Sequence, residues 1–256
     1  MYAMRLMLVF IILLLAGCGG DVKTKKRSGV QFPTYDDFPG TTVDGAKWTP
    51  DTTGGGNITV GGGMATLSVN ATSTPMQSTL LFPTLLAPDI QAVQIRMIPV
   101  SFNGGTTGSN IRFRYTMRAY QDDVLTGGTN LLSVVFSQLR INNGNFEALV
   151  SRCTSDTCGS SSVILGPVIL GAVTLNEVYD LTSGWDGNTG FSFLVSGLGT
   201  TTLDGSFGGT VTNLGPPVTP RALIEVSASG GTPTTEGEMT VDLDQVNCLK
   251  LGGLAC

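Results

Sequence analysis

From Tyr35 onward, apolar residues recur at every second position, in short runs broken by glycine-rich turns. Alternation of this kind marks β-strands with one buried face. Ile58-Thr59-Val60, the turn Gly61-Gly62-Gly63 and residues 64–69 predict a hairpin. Residues 91–100 put Val93, Ile95 and Met97 on one side. In residues 110–120, Ile111, Phe113, Tyr115, Met117 and Ala119 fall on one face, and Arg112, Arg114, Thr116, Arg118 and Tyr120 on the other. Residues 131–141 and 146–152 flank Asn142-Asn143-Gly144-Asn145, a strong hairpin signal. Residues 178–185 and 191–195 flank Asp186-Gly187-Asn188, and 222–227 and 239–246 complete the set. No amphipathic helical period and no exact internal repeat interrupt the series. The pattern predicts an all-β sandwich or barrel.

Residues 1–17 follow a different rule. Arg5 precedes eleven unbroken apolar residues, Leu6 to Ala16. A run that short does not span a bilayer, which takes about 20 residues, and it has the shape of an export signal. Leu15-Ala16-Gly17-Cys18 resembles the lipobox of bacterial lipoproteins. The resemblance implies cleavage before Cys18, a thioether from its sulfur to diacylglycerol, and acylation of the new amino terminus. Gly19 in place of Asp after the cysteine implies, by the same resemblance, sorting to an outer membrane. Residues 18–34 then read as the lipidated cysteine and a flexible basic tether carrying Lys23, Lys25, Lys26 and Arg27, and 35–256 as one folded domain.

Composition narrows the chemistry. The loss of Arg5 with the leader leaves 13 Lys+Arg against 19 Asp+Glu, a net charge of −6, which argues against nucleic acid as a partner. With no histidine in the chain, Ser-His-Asp and Cys-His catalysis and His-ligated zinc are excluded. Beyond Cys18, the cysteines are Cys153, Cys158, Cys248 and Cys256. Four cysteines in an exported chain predict two disulfides; of three connectivities, the local pairs Cys153–Cys158 and Cys248–Cys256 are expected. A metal site on Cys153 and Cys158 is the rival.

Several stretches resemble concanavalin A-like lectin/glucanase domains of bacterial surface proteins. They are Asp37-Phe38 with Asp44 and Lys47-Trp48, Ala65-Thr66-Leu67 after the glycine turn, Tyr179-Asp180-Leu181, Trp185-Asp186-Gly187-Asn188 with Phe191-Ser192-Phe193, and Val241-Asp242-Leu243-Asp244-Gln245-Val246. Together they cover about residues 35–248. The resemblance implies a jelly-roll β-sandwich of two antiparallel sheets whose last strand pairs near the first. That family holds lectins, glycosidases, lyases and adhesive modules, so the fold leaves the activity open.

Glycosidases of that superfamily carry a Glu-x-Asp-x-Glu type of motif, which is missing here. Glu238, Asp242 and Asp244 are the nearest approach, on one side of a strand if it is regular. The chain is therefore expected to be no enzyme. Asp36, Asp37 and Asp244 are candidate oxygen ligands for a structural Ca²⁺ where first and last strands meet, with turn capping the alternative; no other cofactor is expected. Arg112, Arg114, Arg118 and Tyr120, with Arg96 and Arg140 on neighbouring strands, form a candidate glycan-binding face that could grip sugar hydroxyls or acidic-glycan carboxylates. Alternatively, these arginines pair with Glu147 or other acids. Trp48 and Trp185 read as packing residues. The expectation is a lipid-anchored envelope protein with a non-catalytic carbohydrate-binding or adhesive module, partnered by membrane lipid and a glycan or cell-surface molecule. The alternatives are a structural envelope protein, or a divergent glycosidase or polysaccharide lyase. Cys18→Ser should abolish metabolic palmitate labelling and release the chain from membranes; labelling equal to wild type would remove the anchor.

Overall fold

A computed structural model describes residues 32–52, 56–71, 76–81, 90–103, 109–123, 131–153, 161–185, 190–204, 222–230 and 237–250. The chain divides into Met1–Gln31 and Phe32–Cys256, and the described residues all belong to the second unit. The expectations for the leader, for Cys18 and for the basic tether lie outside them, apart from the last tether residues.

The strands are β1 (Thr34–Asp36), β2 (Thr49–Asp51), β3 (Asn57–Gly61), β4 (Met64–Ala71), β5 (Met76–Leu81), β6 (Ile90–Asn103), β7 (Ser109–Asp123), β8 (Leu131–Asn142), β9 (Asn145–Cys153), β10 (Ser161–Ala172), β11 (Tyr179–Trp185), β12 (Gly190–Val195), β13 (Gly199–Asp204), β14 (Ala222–Gly230) and β15 (Gly237–Lys250). All pairings are antiparallel. The first sheet runs β13-β12-β11-β6-β15-β4-β3, and the second β10-β9-β8-β7-β14-β5-β2. The fold is the expected all-β jelly-roll sandwich. β1 pairs β15 beyond the point where β4 stops, so first and last strands meet: Asp36 lies opposite Val246.

The predicted alternation sorts the two faces of each sheet. Val93, Ile95 and Met97 of β6, Leu181 of β11, Phe191 and Phe193 of β12, and Val241 and Leu243 of β15 turn into one core. Phe113, Leu139, Ile141, Phe146, Ala148 and Val150 come to it from the second sheet. Each of these side chains other than Ala148 contributes about 1.5–3 kcal/mol by leaving water. Ser137 and Ser183, both fully buried, hydrogen bond 2.9 Å apart between β8 and β11. At the β8–β9 turn, Asn143 and Gly144 have φ of 49° and 72°, the left-handed pair that a two-residue hairpin needs.

β10 was hidden in the sequence, because Ser-Ser-Val-Ile-Leu-Gly-Pro-Val-Ile-Leu-Gly-Ala carries no alternation and has Pro167 in its middle. It is tolerated as an edge strand, where a missing N–H costs nothing. At Gly166 the strand passes so close to β9 that a Cβ would sit 2.7 Å from the carbonyl oxygen of Ala148.

The Asp37-Phe38…Asp44…Lys47-Trp48 stretch proves to be a structural knot. Asp36, 3% exposed, accepts from Phe38 N (3.1 Å), Lys47 Nζ (3.1 Å) and Trp48 Nε1 (2.5 Å). Trp48 stacks on Phe38 at 5.9 Å and meets Tyr35 edge-on at 5.3 Å, while Tyr35 OH donates to the Lys47 carbonyl. Asp36→Ala strands two buried N–H donors, so it should cost about 3 kcal/mol in urea denaturation of the full chain, against less than about 0.5 for exposed Asp37→Ala. Equal losses would show that the knot is not what secures this segment.

Candidate functional site

The second sheet turns the odd residues of β8 and the even residues of β9 into the core, so Arg140 and Glu147 must point the other way. Register aligns one row across four strands on that outward face. Glu147 of β9 lies opposite Arg140 of β8, Arg140 opposite Arg114 of β7, and Arg114 opposite Glu225 of β14. The charges run minus, plus, plus, minus.

Each arginine is tied to the acid on its outer side. Arg140 donates from Nε and Nη2 to Glu147 Oε2, both at 2.8 Å, and Asn142 Nδ2 donates to Glu147 Oε1 at 3.2 Å. Arg114 Nη2 donates to Glu225 Oε1. Glu225 is 3% exposed and Arg114 32%, and the Arg140–Glu147 side chains are 14% and 11% exposed. The Nε of Arg114 is buried and has no hydrogen-bond partner among the described residues. In the rows beyond, Gln138 lies opposite Leu149 and Phe136 opposite Ser151, and all four are buried although they stand outside the inter-sheet core cluster. The face around the row is thus largely shielded from water.

Arg114 and Arg140 are brought together as expected, on neighbouring strands. Arg112, Arg118 and Tyr120 share the even positions of β7, opposite Ser227, Phe136 and Val134; their side chains lie outside the described residues. Arg96 requires a correction: it stands on β6, in the first sheet. There its Nε donates to Asp180 Oδ1 at 2.9 Å, with Asp244 at 3.9 Å. The hydrogen bond and charge of Asp180, aided by Asp244, raise its pKa against a small desolvation cost, and it stays a cation. β6 also carries Gln94, which accepts from Asn247 at 3.0 Å and donates to Thr182 at 3.4 Å.

The Ca²⁺ ligand set does not fit. The Asp36 oxygens already face an ammonium and an indole N–H, Asp37 is exposed, and Asp244 lies against Arg96. Among the described residues no group of three or more acids or cysteines is placed to hold a metal. A concavity of about 450 Å³ beside the knot, lined in part by Asp36, Asp44 and Lys47, mixes charges, and Asp44 Oδ1 there caps Ala46 N at 2.9 Å. Asp242 accepts from Thr66 Oγ1 at 2.5 Å, and the register shifts between Leu243 and Gln245, so the even spacing of Asp242 and Asp244 runs into a bulge. Glu238 lies opposite Asn70, with its side chain outside the described residues. Cys248 is buried and disulfide-bonded; Cys153 closes β9, and Cys158 and Cys256 lie outside the described residues. Trp48 and Trp185 are buried packing residues, as expected.

Glu225 was missed. Its only signal was one carboxylate inside the apolar run Ala222-Leu223-Ile224-Glu225-Val226.

No family model matches the chain, and no curated protein matches it. Solved structures do resemble it. An endo-acting O-glycanase of the human gut microbiota is 14% identical, with a TM-score of 0.47 over 84% of this chain and 98% of its own. Porphyranase B from Zobellia galactanivorans is 12% identical, at 0.46 over 85% and 92%. The κ-carrageenase from Pseudoalteromonas carrageenovora is 10% identical, at 0.47 over 85% and 94%. Likeness at this level assigns no activity. One expectation is corrected: the solved structures that resemble this chain are named as enzymes, and the expectation of a non-enzyme is withdrawn.

The row predicts a contrast in stability. Arg140→Gln leaves Glu147 buried and unpaired and should cost about 2–3 kcal/mol in urea denaturation. Arg140→Gln/Glu147→Gln should recover most of that, whereas Arg96→Gln, an exposed pair, should cost less than about 1 kcal/mol. Equal effects of the two single variants would refute a stabilising role for the burial of the Arg140–Glu147 pair.

Proposed function

We propose that this chain is a carbohydrate-active protein of the cell envelope that holds a glycan across the outward face of its second sheet. The observation that carries this reading is the Arg114–Arg140 pair, set side by side on the outward sheet face and tied there to Glu147 and Glu225. A sheet face suits an extended polymer, because strands about 4.8 Å apart offer contacts at regular intervals along it. Guanidinium forks supply fixed donors, and Gln138 and Asn142 of β8 add amides that both donate and accept. Lipid on Cys18 and the basic tether would hold the domain beside the membrane, and an outer membrane fits Gly19.

Hydrolysis by the two acids of the row lacks the required geometry. Glu147 and Glu225 are three strand steps apart, about 14 Å, beyond the roughly 5–9.5 Å that glycosidase carboxylate pairs use. Any cleavage on this face needs a different arrangement.

The test is affinity electrophoresis of the detergent-solubilised full chain through gels containing neutral or acidic polysaccharides. Retardation should appear, and Arg114→Ala should reduce it about tenfold, the loss of one charge-assisted contact. A folded protein that no polysaccharide retards would overturn the reading. New reducing ends or unsaturated sugar termini in the same incubation would assign cleavage to the protein as well.

A further inference from the structure

We infer that Arg114 and Arg140 together form an oxyanion subsite, so that the glycan carries a sulfate ester or a carboxylate at this point; the inference rests on the glycan-binding reading above. Like charges directly opposite on neighbouring strands repel, their Cα atoms being only about 4.5–5.5 Å apart. Among the described residues each is balanced from its far side, Arg140 by Glu147 and Arg114 by Glu225. Along the row no acid stands between Arg114 and Arg140, and both side chains carry N–H donors. Arginine donates and never accepts. A neutral hydroxyl placed there meets donors only, whereas sulfate or carboxylate oxygens are acceptors only and bring the opposite charge.

The Arg114 guanidinium is also incompletely satisfied. Its Nε is buried without a partner among the described residues, and the side chain as a whole still reaches solvent. Turning onto an incoming anion gives that donor an acceptor. The two buried carboxylates hold the arginines upright before the ligand arrives, which limits the ordering cost of binding.

The test compares three immobilised polymers as probes for the full chain: κ-carrageenan for sulfate, polygalacturonate for carboxylate and agarose as the neutral control. One anionic polymer should bind at least about tenfold tighter than agarose, and which one does so identifies the group read. Arg114→Gln/Arg140→Gln should abolish that preference. Because these changes leave Glu147 and Glu225 stranded, the quadruple variant with Glu147→Gln and Glu225→Gln repeats the measurement in a neutral row, with circular dichroism confirming the fold. Arg114→Lys/Arg140→Lys keeps the charge but loses the fork, and should lose most of the preference while remaining salt-sensitive. Agarose bound as tightly as the anionic polymers, or a preference that survives in the folded quadruple variant, overturns the subsite and leaves glycan binding standing. No binding to any of the three polymers overturns the glycan reading itself.

Discussion

The two-residue period of β8 and β9 is the constraint from which the site follows. Leu139 and Ile141 of β8, and Phe146, Ala148 and Val150 of β9, are all buried in the core between the sheets. A strand that commits these residues inward has no freedom over Arg140 and Glu147, which must face outward. A slip of one residue in either strand would carry the charges into the core and the apolar side chains out of it. The core thus sets the register, and the register places Arg140 beside Arg114 and Glu147 beside Arg140.

The same constraint explains why acids of similar appearance do different work. Asp36 is buried at the seam of first and last strands, and it organises the Phe38–Trp48 knot through three donors. Asp180 and Asp244 flank Arg96 on an exposed face, where an ion pair contributes about 0–1 kcal/mol. Glu147 and Glu225 are buried against arginines, where losing one partner leaves a charge that water cannot solvate. Burial, more than the count of charges, separates a solvated surface from a built site.

That distinction also separates the two polar faces of the sandwich. The first sheet carries short amide and hydroxyl contacts, Asn247 to Gln94 to Thr182, beside the Arg96 pair. Its arginine has acids on both sides. The second sheet has two arginines adjacent to each other and acids only at the flanks of the row. On one face an arginine is flanked by two acids, and on the other two arginines are neighbours.

Alternation and turn residues alone determined much of this protein. They sufficed for an all-β chain, for the 58–69 hairpin, for the Asn143-Gly144 turn and for Arg114 and Arg140 as neighbours, because side-chain period and turn chemistry are local properties. They did not reveal β10, which shows no alternation and whose Pro167 suits an edge position that pairing with β9 defines. They misplaced Arg96, because adjacency of strands distant in sequence depends on which sheet each one joins. They gathered Asp36, Asp37 and Asp244 around a metal, although the loop between β1 and β2 brings Lys47 and Trp48 back onto Asp36 instead. Glu225 stayed invisible for the same reason. Its importance comes from lying opposite Arg114, 111 residues away, and only the closing of the sheet brings the two together.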